Sequence, residues 1–228
     1  RSAISYSMTL NTQVSLEGSR DALRLGAEMA AGGEGAVYEL PDSPRMLAKL
    51  FHTTDQSRER KLRAMVAMPA LRAYSRLAWP QQLLVDSRGI VRGYTMRRLE
   101  GVSLVPLTAE ILRRRRLPRW TPAHTVRVCH DLACLCGELE KNGVYIADLS
   151  LLNFLVDPRT AEVSGIDCDS YSVCSATHRF PSLVYTTDYQ VPEILDGRVP
   201  LANFGPAQFR GAAASLFFAL LTVGGQPY

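Results

Sequence analysis

The apolar residues form short runs in the first part of the chain and longer helical stripes in the second. Between residues 22 and 98, apolar runs alternate with turn-forming residues, a pattern typical of strands joined by tight turns. One helix interrupts them; it is predicted to begin at Asp55 and to end or kink at Pro69. The first part therefore predicts a mostly antiparallel sheet with a single helix.

The second part of the chain predicts helices. Thr121-Pro122 and Gly143 bound a long helix, because Thr favours the N-cap, Pro the first turn and Gly the C-terminal end. A further run from Arg210 to Val223 is small and apolar and predicts a buried helix. The core-facing stripe of the long helix comprises Val128, Leu132, Leu135 and Leu139.

Polar residues stand at the ends of two short apolar runs between these helices. Asn153 precedes FLV, and Asp167 follows VSGI, with PRTAE between the runs as turn residues. This predicts a hairpin with Asn153 and Asp167 at its open end. Asp148 precedes Asn153 by five residues. Carboxylate and amide oxygens are ligands that Mg²⁺ accepts beside phosphate oxygens, so the stretch predicts a phosphoryl-transfer site.

Three glycines and a lysine in the first part fit the same chemistry. Gly32, Gly33 and Gly35 lie between two predicted strands, where their backbone can approach a phosphate closely. Lys49 interrupts the apolar run MLAKLF, and a buried lysine needs anionic partners such as phosphate or the carboxylate of Glu59. Each feature has an alternative interpretation. The glycines could form an ordinary hairpin turn, Lys49 could face solvent from an edge strand, and Glu59 could be a solvated surface residue.

Two further segments complete the organisation. After Met96 the strand pattern breaks into RRLEG, as expected for a connection between two lobes whose backbone hydrogen-bonds a planar base. Residues 170–195 are polar and irregular, and their length suits a substrate platform or a lid.

Composition narrows the class of protein. The chain has 228 residues, of which 46% are hydrophobic and 21% charged, as in a soluble globular domain or two small lobes. A net charge of +4 is too small to indicate nucleic acid. The run Arg113 to Arg116, with Arg119 beyond it, is either a solvated face or a docking patch for an acidic partner or a membrane surface.

Five cysteines without CxxC pairs indicate free thiols in a reducing compartment, hence a cytoplasmic protein without a disulfide framework or zinc site. The longest apolar run is too short to span a bilayer. The expected partner is a protein substrate or regulator, and the oligomeric state is left open.

Several of these motifs resemble the protein-kinase family. AAGGEGAV is similar to the Gly-rich loop, with Gly32, Gly35 and Val37 at matching positions, and LAKL resembles the strand that carries the phosphate-binding lysine, here Lys49. Met96 ends the strand before the connection between lobes. The resemblance implies that these residues and Glu59 bind ATP.

The remaining kinase motifs follow in order. IADLSLLN resembles the catalytic loop, with Asp148 as the base and Asn153 as a metal-binding amide, and IDCD resembles the metal-binding element, with Asp167 as ligand and Asp169 beside it. Val191-Pro192-Glu193 resembles the end of the activation segment. GGEGxVY, KLxAM, a WP dipeptide and IDxDSY are most similar to bacterial kinases of the helix-hairpin-helix-associated group.

The resemblance implies an α+β, two-lobed protein-kinase-like fold and an ATP-dependent Ser/Thr kinase using Mg²⁺ or Mn²⁺. Its parts are an N-terminal arm at residues 1–21, a mostly antiparallel N-lobe at 22–98, and a mainly helical, incomplete C-lobe at 99–228.

Departures from the family leave two other functions open. Ile146 and Ala147 replace the His-Arg pair before Asp148, and Ser150 replaces the lysine two residues after it. A pseudokinase that binds nucleotide as a scaffold fits these changes. An aminoglycoside-type phosphotransferase also lacks that lysine, but residues 170–195 favour a protein substrate.

Overall fold

The computed structural model describes residues 6–7, 13–175 and 178–225. The chain divides into two compact units, Arg1–Arg98 and Leu99–Tyr228, called the first and the second unit below. Each has its own secondary structure and its own buried side chains.

The first unit is built on a six-stranded antiparallel sheet with the strand order β2-β7-β8-β5-β4-β3, and β1 pairs with β6 beside it. Its strands and helices are β1 (Tyr6–Ser7), β2 (Val14–Leu16), β3 (Glu28–Ala31), β4 (Gly35–Glu39), β5 (Met46–Phe51), β6 (Thr53–Thr54), α1 (Gln56–Val66), α2 (Pro69–Ala73), β7 (Gln82–Asp86) and β8 (Val91–Arg97).

The sheet forms where the sequence predicts strands, and the predicted N-terminal arm adds one strand to its edge. Strand β2 lies within the predicted N-terminal arm and pairs with β7 at the edge of the sheet; residues 1–5 and 8–12 of that arm lie outside the described residues. The apolar side chains of several strands and one loop form a buried cluster of Val14, Leu40, Ala48, Leu50 and Leu84.

The predicted helix of the first unit is confirmed as α1. The side chain of Asp55 accepts a hydrogen bond from the Arg58 backbone N–H at 2.8 Å, which caps the helix. The helix ends at Val66, and Pro69 starts the short α2 instead of extending α1, because proline cannot donate the hydrogen bond that continuation requires.

The second unit contains four helices and two small sheets, β12-β11-β9 and β10-β13-β14, among its described residues. Its elements are β9 (Val102–Ser103), α3 (Glu110–Arg116), α4 (Pro122–Lys141), β10 (Val144–Tyr145), β11 (Phe154–Val156), β12 (Val163–Gly165), β13 (Ser172–Cys174), β14 (Arg179–Phe180), α5 (Pro192–Leu195) and α6 (Pro206–Leu221).

Helices α4 and α6 pack together and form the core of this unit. The predicted apolar stripe of α4 is fully buried. Helix α6 starts earlier than expected, at Pro206 rather than Arg210, because the Gln208 side chain caps the Gly205 N–H and proline suits the first turn. It ends before Val223, which has a left-handed φ of 55° that stops a helix.

Within the described ranges, no helix has the length and apolar character needed to cross a membrane. All five cysteines are free thiols. Burial raises the pKa of the Cys136 thiol to about 12, with a further contribution from the Glu140 carboxylate, so this thiol is an inert part of the core.

Candidate active site

The hairpin predicted around the turn PRTAE is confirmed. Strands β11 and β12 are antiparallel, with Phe154 opposite Gly165. The Ile166 N–H donates a hydrogen bond of 2.9 Å to the Asn153 carbonyl, which extends the pairing by one residue. Asn153 and Asp167 therefore stand at the same open end of the hairpin.

The amide of Asn153 is tied to Asp148. Its Nδ2 donates to Asp148 Oδ2 at 2.8 Å and to the Asp148 carbonyl oxygen at 3.1 Å. Both donor hydrogens of the amide are thereby used, and the amide oxygen Oδ1 is left as the group available to a cation.

A threonine that sequence analysis did not single out holds the other carboxylate oxygen. Thr186 Oγ1 donates to Asp148 Oδ1 at 2.5 Å across 38 residues of sequence. Thr186 lies in the irregular segment predicted as a substrate platform or a lid. Its position in that segment was the one feature of the sequence that pointed to it. The Asp148 carboxylate is therefore oriented from both sides, by Asn153 and by Thr186.

The irregular segment is also attached to the loop around Asp148 through a buried glutamine. Gln190 is 1% exposed, and its Nε2 donates to the Ala147 carbonyl at 3.3 Å. Further along, Glu193 accepts a hydrogen bond from Gln208 Nε2 at 3.5 Å. These contacts explain why Thr186 is held next to Asp148 although its segment has little regular structure.

Asp167 has an unusual backbone conformation. Its φ of 58° and ψ of 38° lie in the left-handed region, which costs a non-glycine residue free energy and is common at functional sites. Its carbonyl accepts hydrogen bonds from the Ser170 N–H at 3.1 Å and Ser170 Oγ at 2.8 Å. Asp169 lies in the single 3-10 turn Cys168–Ser170 that this bond closes.

A buried tyrosine hydrogen-bonds to the backbone just before this turn. Tyr171 is fully buried, and its hydroxyl donates to the Ile166 carbonyl at 3.4 Å. Burial raises the pKa of Tyr171 well above its ordinary value, and the neighbouring Cys168 and Asp167 add to the effect. The phenol therefore remains neutral and serves as a packing and hydrogen-bonding support.

In the first unit, the glycines form the turn between β3 and β4, and they are there for different reasons. The Gly32 N–H donates to the Gly35 carbonyl at 2.9 Å. A Cβ at Gly32 or Gly33 would meet no atom within 4 Å, whereas one at Gly35 would lie 2.1 Å from the Leu50 carbonyl oxygen. Strand pairing requires Gly35; open space surrounds the other two.

Lys49 is 8% exposed on the inner strand β5. It stands opposite Val37 on β4 and Tyr94 on β8, and its Nζ lies 5.6 Å from the centre of the Phe51 ring. Met96 is 7% exposed near the end of β8. The predicted phosphate-binding lysine is thus an interior residue of the sheet rather than an edge residue.

Glu59 lies on α1 and is one-third exposed. Its Oε1 accepts a hydrogen bond from Arg63 Nε at 2.9 Å, one turn along the same helix. Such exposed pairs contribute little to stability.

The comparisons with known proteins agree on one kind of relative. No family model matches the chain. It is 29% identical over 152 residues to a protein named protein kinase YegI from Escherichia coli strain K12, and 28% identical over 151 residues to its namesake from E. coli O157:H7. Each match covers 65% of this chain and 23% of the relative, so the chain spans about a quarter of these relatives.

A solved structure of a rhoptry kinase from Toxoplasma gondii is similar with a TM-score of 0.61, over 95% of this chain and 67% of that one, at 14% identity. The chain is similar to bacterial proteins named protein kinase, and it has a protein-kinase-like fold. The predicted α+β kinase-like fold is therefore confirmed, while membership of the helix-hairpin-helix-associated group stays a prediction.

The donor set of this kinase-like domain fits a magnesium ion. Asn153 and Asp167 offer an amide and a carboxylate oxygen at one hairpin end, and Asp169 follows in the next turn. Among the described residues, no group of three or more His, Cys, Asp or Glu side chains could hold a metal. Magnesium in a phosphoryl-transfer site takes one or two carboxylates and completes its shell with phosphate and water, so an amide and two carboxylates are suitable donors.

Proposed function

We propose that this domain transfers the γ-phosphate of ATP to a serine or threonine hydroxyl of a protein substrate. The observation that supports the proposal is the Asp148 carboxylate, which Thr186 and Asn153 orient by hydrogen bonds to its two oxygens. Each carboxylate oxygen has a second lone pair, so Asp148 can still accept a hydrogen bond from a substrate hydroxyl.

The proposed role of Asp148 is to orient that hydroxyl and to accept its proton late in the transfer. Phosphoryl transfer demands little covalent chemistry of the protein, and positioning accounts for most of the catalysis. A carboxylate fixed before the substrate arrives needs no reorganisation during the reaction, which is how preorganised groups lower the barrier.

The nucleotide is proposed to contact the first unit through the residues named from the resemblance. Lys49 would bind the α- and β-phosphates, with Glu59 as its carboxylate partner. Val37 and Met96 would contact the base. The open space at Gly32 and Gly33 would let the backbone of this turn, which also contains Gly35, approach phosphate oxygens.

Asn153, Asp167 and Asp169 are proposed to hold Mg²⁺, or Mn²⁺ in its place. When bound, the metal would neutralise the charge of the phosphate oxygens. The domain itself contributes the orientation of these ligands through the hairpin and through the left-handed backbone of Asp167. We place the activity in the cytoplasm, where ATP and a reducing environment are available.

A pseudokinase is the second candidate, and Ser150 favours it. This residue replaces the lysine of the kinase loop, and its Oγ accepts a hydrogen bond from the Leu152 N–H at 3.2 Å. The side chain caps a local turn and supplies no cation for the transferred phosphate. A domain of this kind would bind ATP and regulate a partner without transferring phosphate.

The two candidates are separated by measuring ATP binding and phosphate transfer on the same set of variants. Thermal shift with ATP, with and without Mg²⁺, reports binding; labelled phosphate reports transfer to the domain or to a generic protein substrate. We expect Asp148→Ala to abolish transfer and keep the ATP shift, and Asp167→Ala to lose the Mg²⁺-dependent part of the shift.

The matched control is Asp42→Ala, an exposed aspartate in the β4–β5 turn, which should behave as the wild type in both assays. ATP binding without transfer by the wild type would establish the pseudokinase. Robust transfer by Asp148→Ala would contradict the assignment of Asp148.

A further inference from the structure

The net positive charge of the chain is concentrated in one short segment. Residues 110–119 contain five arginines and one glutamate, a net charge of +4, which equals the net charge of the whole chain. The remaining residues are therefore balanced. The segment is helix α3 and the three residues that follow it.

Helix α3 buries none of its residues, although two of them are apolar. Ile111 is 83% and Leu112 is 40% exposed. The segment is nonetheless fixed at both ends, because Leu107 before the helix is fully buried and Leu117 after it is 4% exposed. Because both ends are buried, the helix is held with Ile111 and Leu112 exposed to solvent.

Helical geometry puts the apolar pair and two arginines on one face. At 3.6 residues per turn, Ile111, Leu112, Arg115 and Arg116 fall within an arc of about 140°. All four are exposed. With Arg119 beyond the helix end, they form a surface that we call the basic face.

The arginines of the basic face have no acidic partner in the described part of the chain. Arg114, which lies on the other side of the helix, pairs with Glu110 at 2.5 Å. Arg115, Arg116 and Arg119 form no ion pair with any described carboxylate. Their charge is available to an anionic partner.

We propose that the basic face binds the surface of an anionic phospholipid bilayer. Exposed Ile111 and Leu112 would enter the headgroup region while the flanking guanidinium groups contact lipid phosphates, with their aliphatic stems along the apolar boundary. The favourable free energy of binding between a polybasic helix face and an anionic bilayer grows with the number of Lys and Arg residues near the bilayer surface. The domain would thus be a peripheral membrane binder, whether or not it transfers phosphate.

The size of the face favours a bilayer over a protein partner. Helix α3 is about 10 Å long. A stable protein interface buries about 800 Å² on each side, more than one face of such a helix offers. A bilayer needs no complementary pocket and gains from a few inserted side chains combined with diffuse charge. An exposed isoleucine within the face is also poorly suited to a nucleic-acid backbone.

The test is co-sedimentation of the full-length protein with phosphatidylcholine vesicles, with and without phosphatidylglycerol. We expect binding that requires phosphatidylglycerol and weakens when NaCl rises from about 0.1 M to about 0.5 M, because salt screens exposed charge. Arg115→Glu with Arg116→Glu should lower the partition coefficient by about tenfold or more. Ile111→Ser should lower it by about threefold to tenfold.

The matched control is Arg60→Glu with Arg159→Glu, which changes the net charge equally at two other exposed arginines. It should keep binding within about twofold of the wild type. Thermal melts check the fold, and Ile111→Ser carries the test if the double arginine variant unfolds.

Three outcomes would overturn the proposal. The first is equal binding to neutral and anionic vesicles. The second is an equal loss of binding in the control variant. The third is binding to poly-glutamate without binding to vesicles, which would assign the face to an acidic protein instead.

Discussion

The loop around Asp148 and the glycine turn between β3 and β4 position their candidate functional groups in opposite ways. In the loop, Asp148 is held by Asn153 and Thr186, and the loop backbone is held by the buried Gln190. In the turn, nothing fills the space that a side chain at Gly33 would occupy. One region is determined by its hydrogen bonds, and the other is left open.

The difference shows where the proposed function adds an explanation that the fold does not require. The geometry of Asp148 is explained by contacts within the second unit, so its proposed chemistry would use an arrangement already in place. Gly32 and Gly33 are exposed and open space surrounds them, whereas Gly35 lies against the Leu50 carbonyl of the neighbouring strand. Under the proposed function, this open space allows a phosphate group to approach the backbone of the turn.

The largest effect is expected from Asn153→Ala, which removes the two hydrogen bonds to Asp148 and a proposed metal ligand together. Phosphate transfer should fall at least about a hundredfold, the scale on which preorganised polar groups act. Asn153→Asp separates the two roles, because it keeps an oxygen ligand but loses the amide donors. It should retain part of the metal-dependent ATP shift while transfer remains low.

Labelled-phosphate transfer and thermal shift with Mg²⁺ measure both quantities. The control is Asn142→Ala at the end of α4. Among the described residues, the Asn142 side chain hydrogen-bonds only to Glu138. Wild-type transfer by Asn153→Ala would show that the hydrogen-bonded loop is not the reacting region.

A smaller effect is expected from Thr186→Val, which is nearly isosteric but cannot donate to Asp148 Oδ1. The turnover number should fall about tenfold to a hundredfold while the KM for ATP changes little, because Thr186 orients the base and is not proposed to touch nucleotide. Thr186→Ser keeps the donor and should restore most of the rate. Steady-state kinetics of the three proteins measure this.

Thr187→Val provides the neighbouring control, since Thr187 is exposed and bonds to Asp188 instead. A loss of rate in Thr186→Ser with wild-type rate in Thr186→Val would indicate that the methyl group of Thr186, and not its hydroxyl, matters.

Much of the loop around Asp148 was predictable from sequence because its residues are close along the chain. The hairpin, and with it Asn153 and Asp167 at one end, followed from apolar runs and turn residues. Thr186 was not predictable, because 38 residues separate it from Asp148 and an irregular segment carries no periodicity to fix its place. Gln190 was missed for the same reason.

The glycine turn shows the complementary limit. The sequence located the turn, but it grouped Gly32, Gly33 and Gly35 into one motif with one purpose. Only the register of β4 against β5 brings Gly35 against the Leu50 carbonyl. A tertiary contact of this kind has no signature in local composition. The start of α6 at Pro206 was missed because a side-chain cap decided it.

Gly35→Ala tests the structural half of this distinction. A Cβ there would lie 2.1 Å from a backbone oxygen of the neighbouring strand, so β4 and β5 must separate locally. The free energy of unfolding should fall by about 3 kcal/mol, at the upper end of the usual cost of overpacking. Urea unfolding measures it. An unchanged midpoint would mean that the strands separate without cost, and Gly35 would then join the open glycines.

Gly33→Ala should have the smallest effect on the fold and reveal the ligand instead. No atom lies within 4 Å of the added methyl group, and Gly33 is not among the residues with positive φ. The unfolding free energy should therefore stay within about 0.5 kcal/mol of the wild type or rise slightly, because alanine restricts the unfolded chain. The KM for ATP should nevertheless rise several-fold, since a side chain would stand where the backbone is proposed to approach phosphate. Gly89→Ala separates strain from ligand loss, because Gly89 has a φ of 75° in another turn and should lose stability without changing the KM. An unchanged KM in Gly33→Ala would remove the ligand as the reason for the open turn.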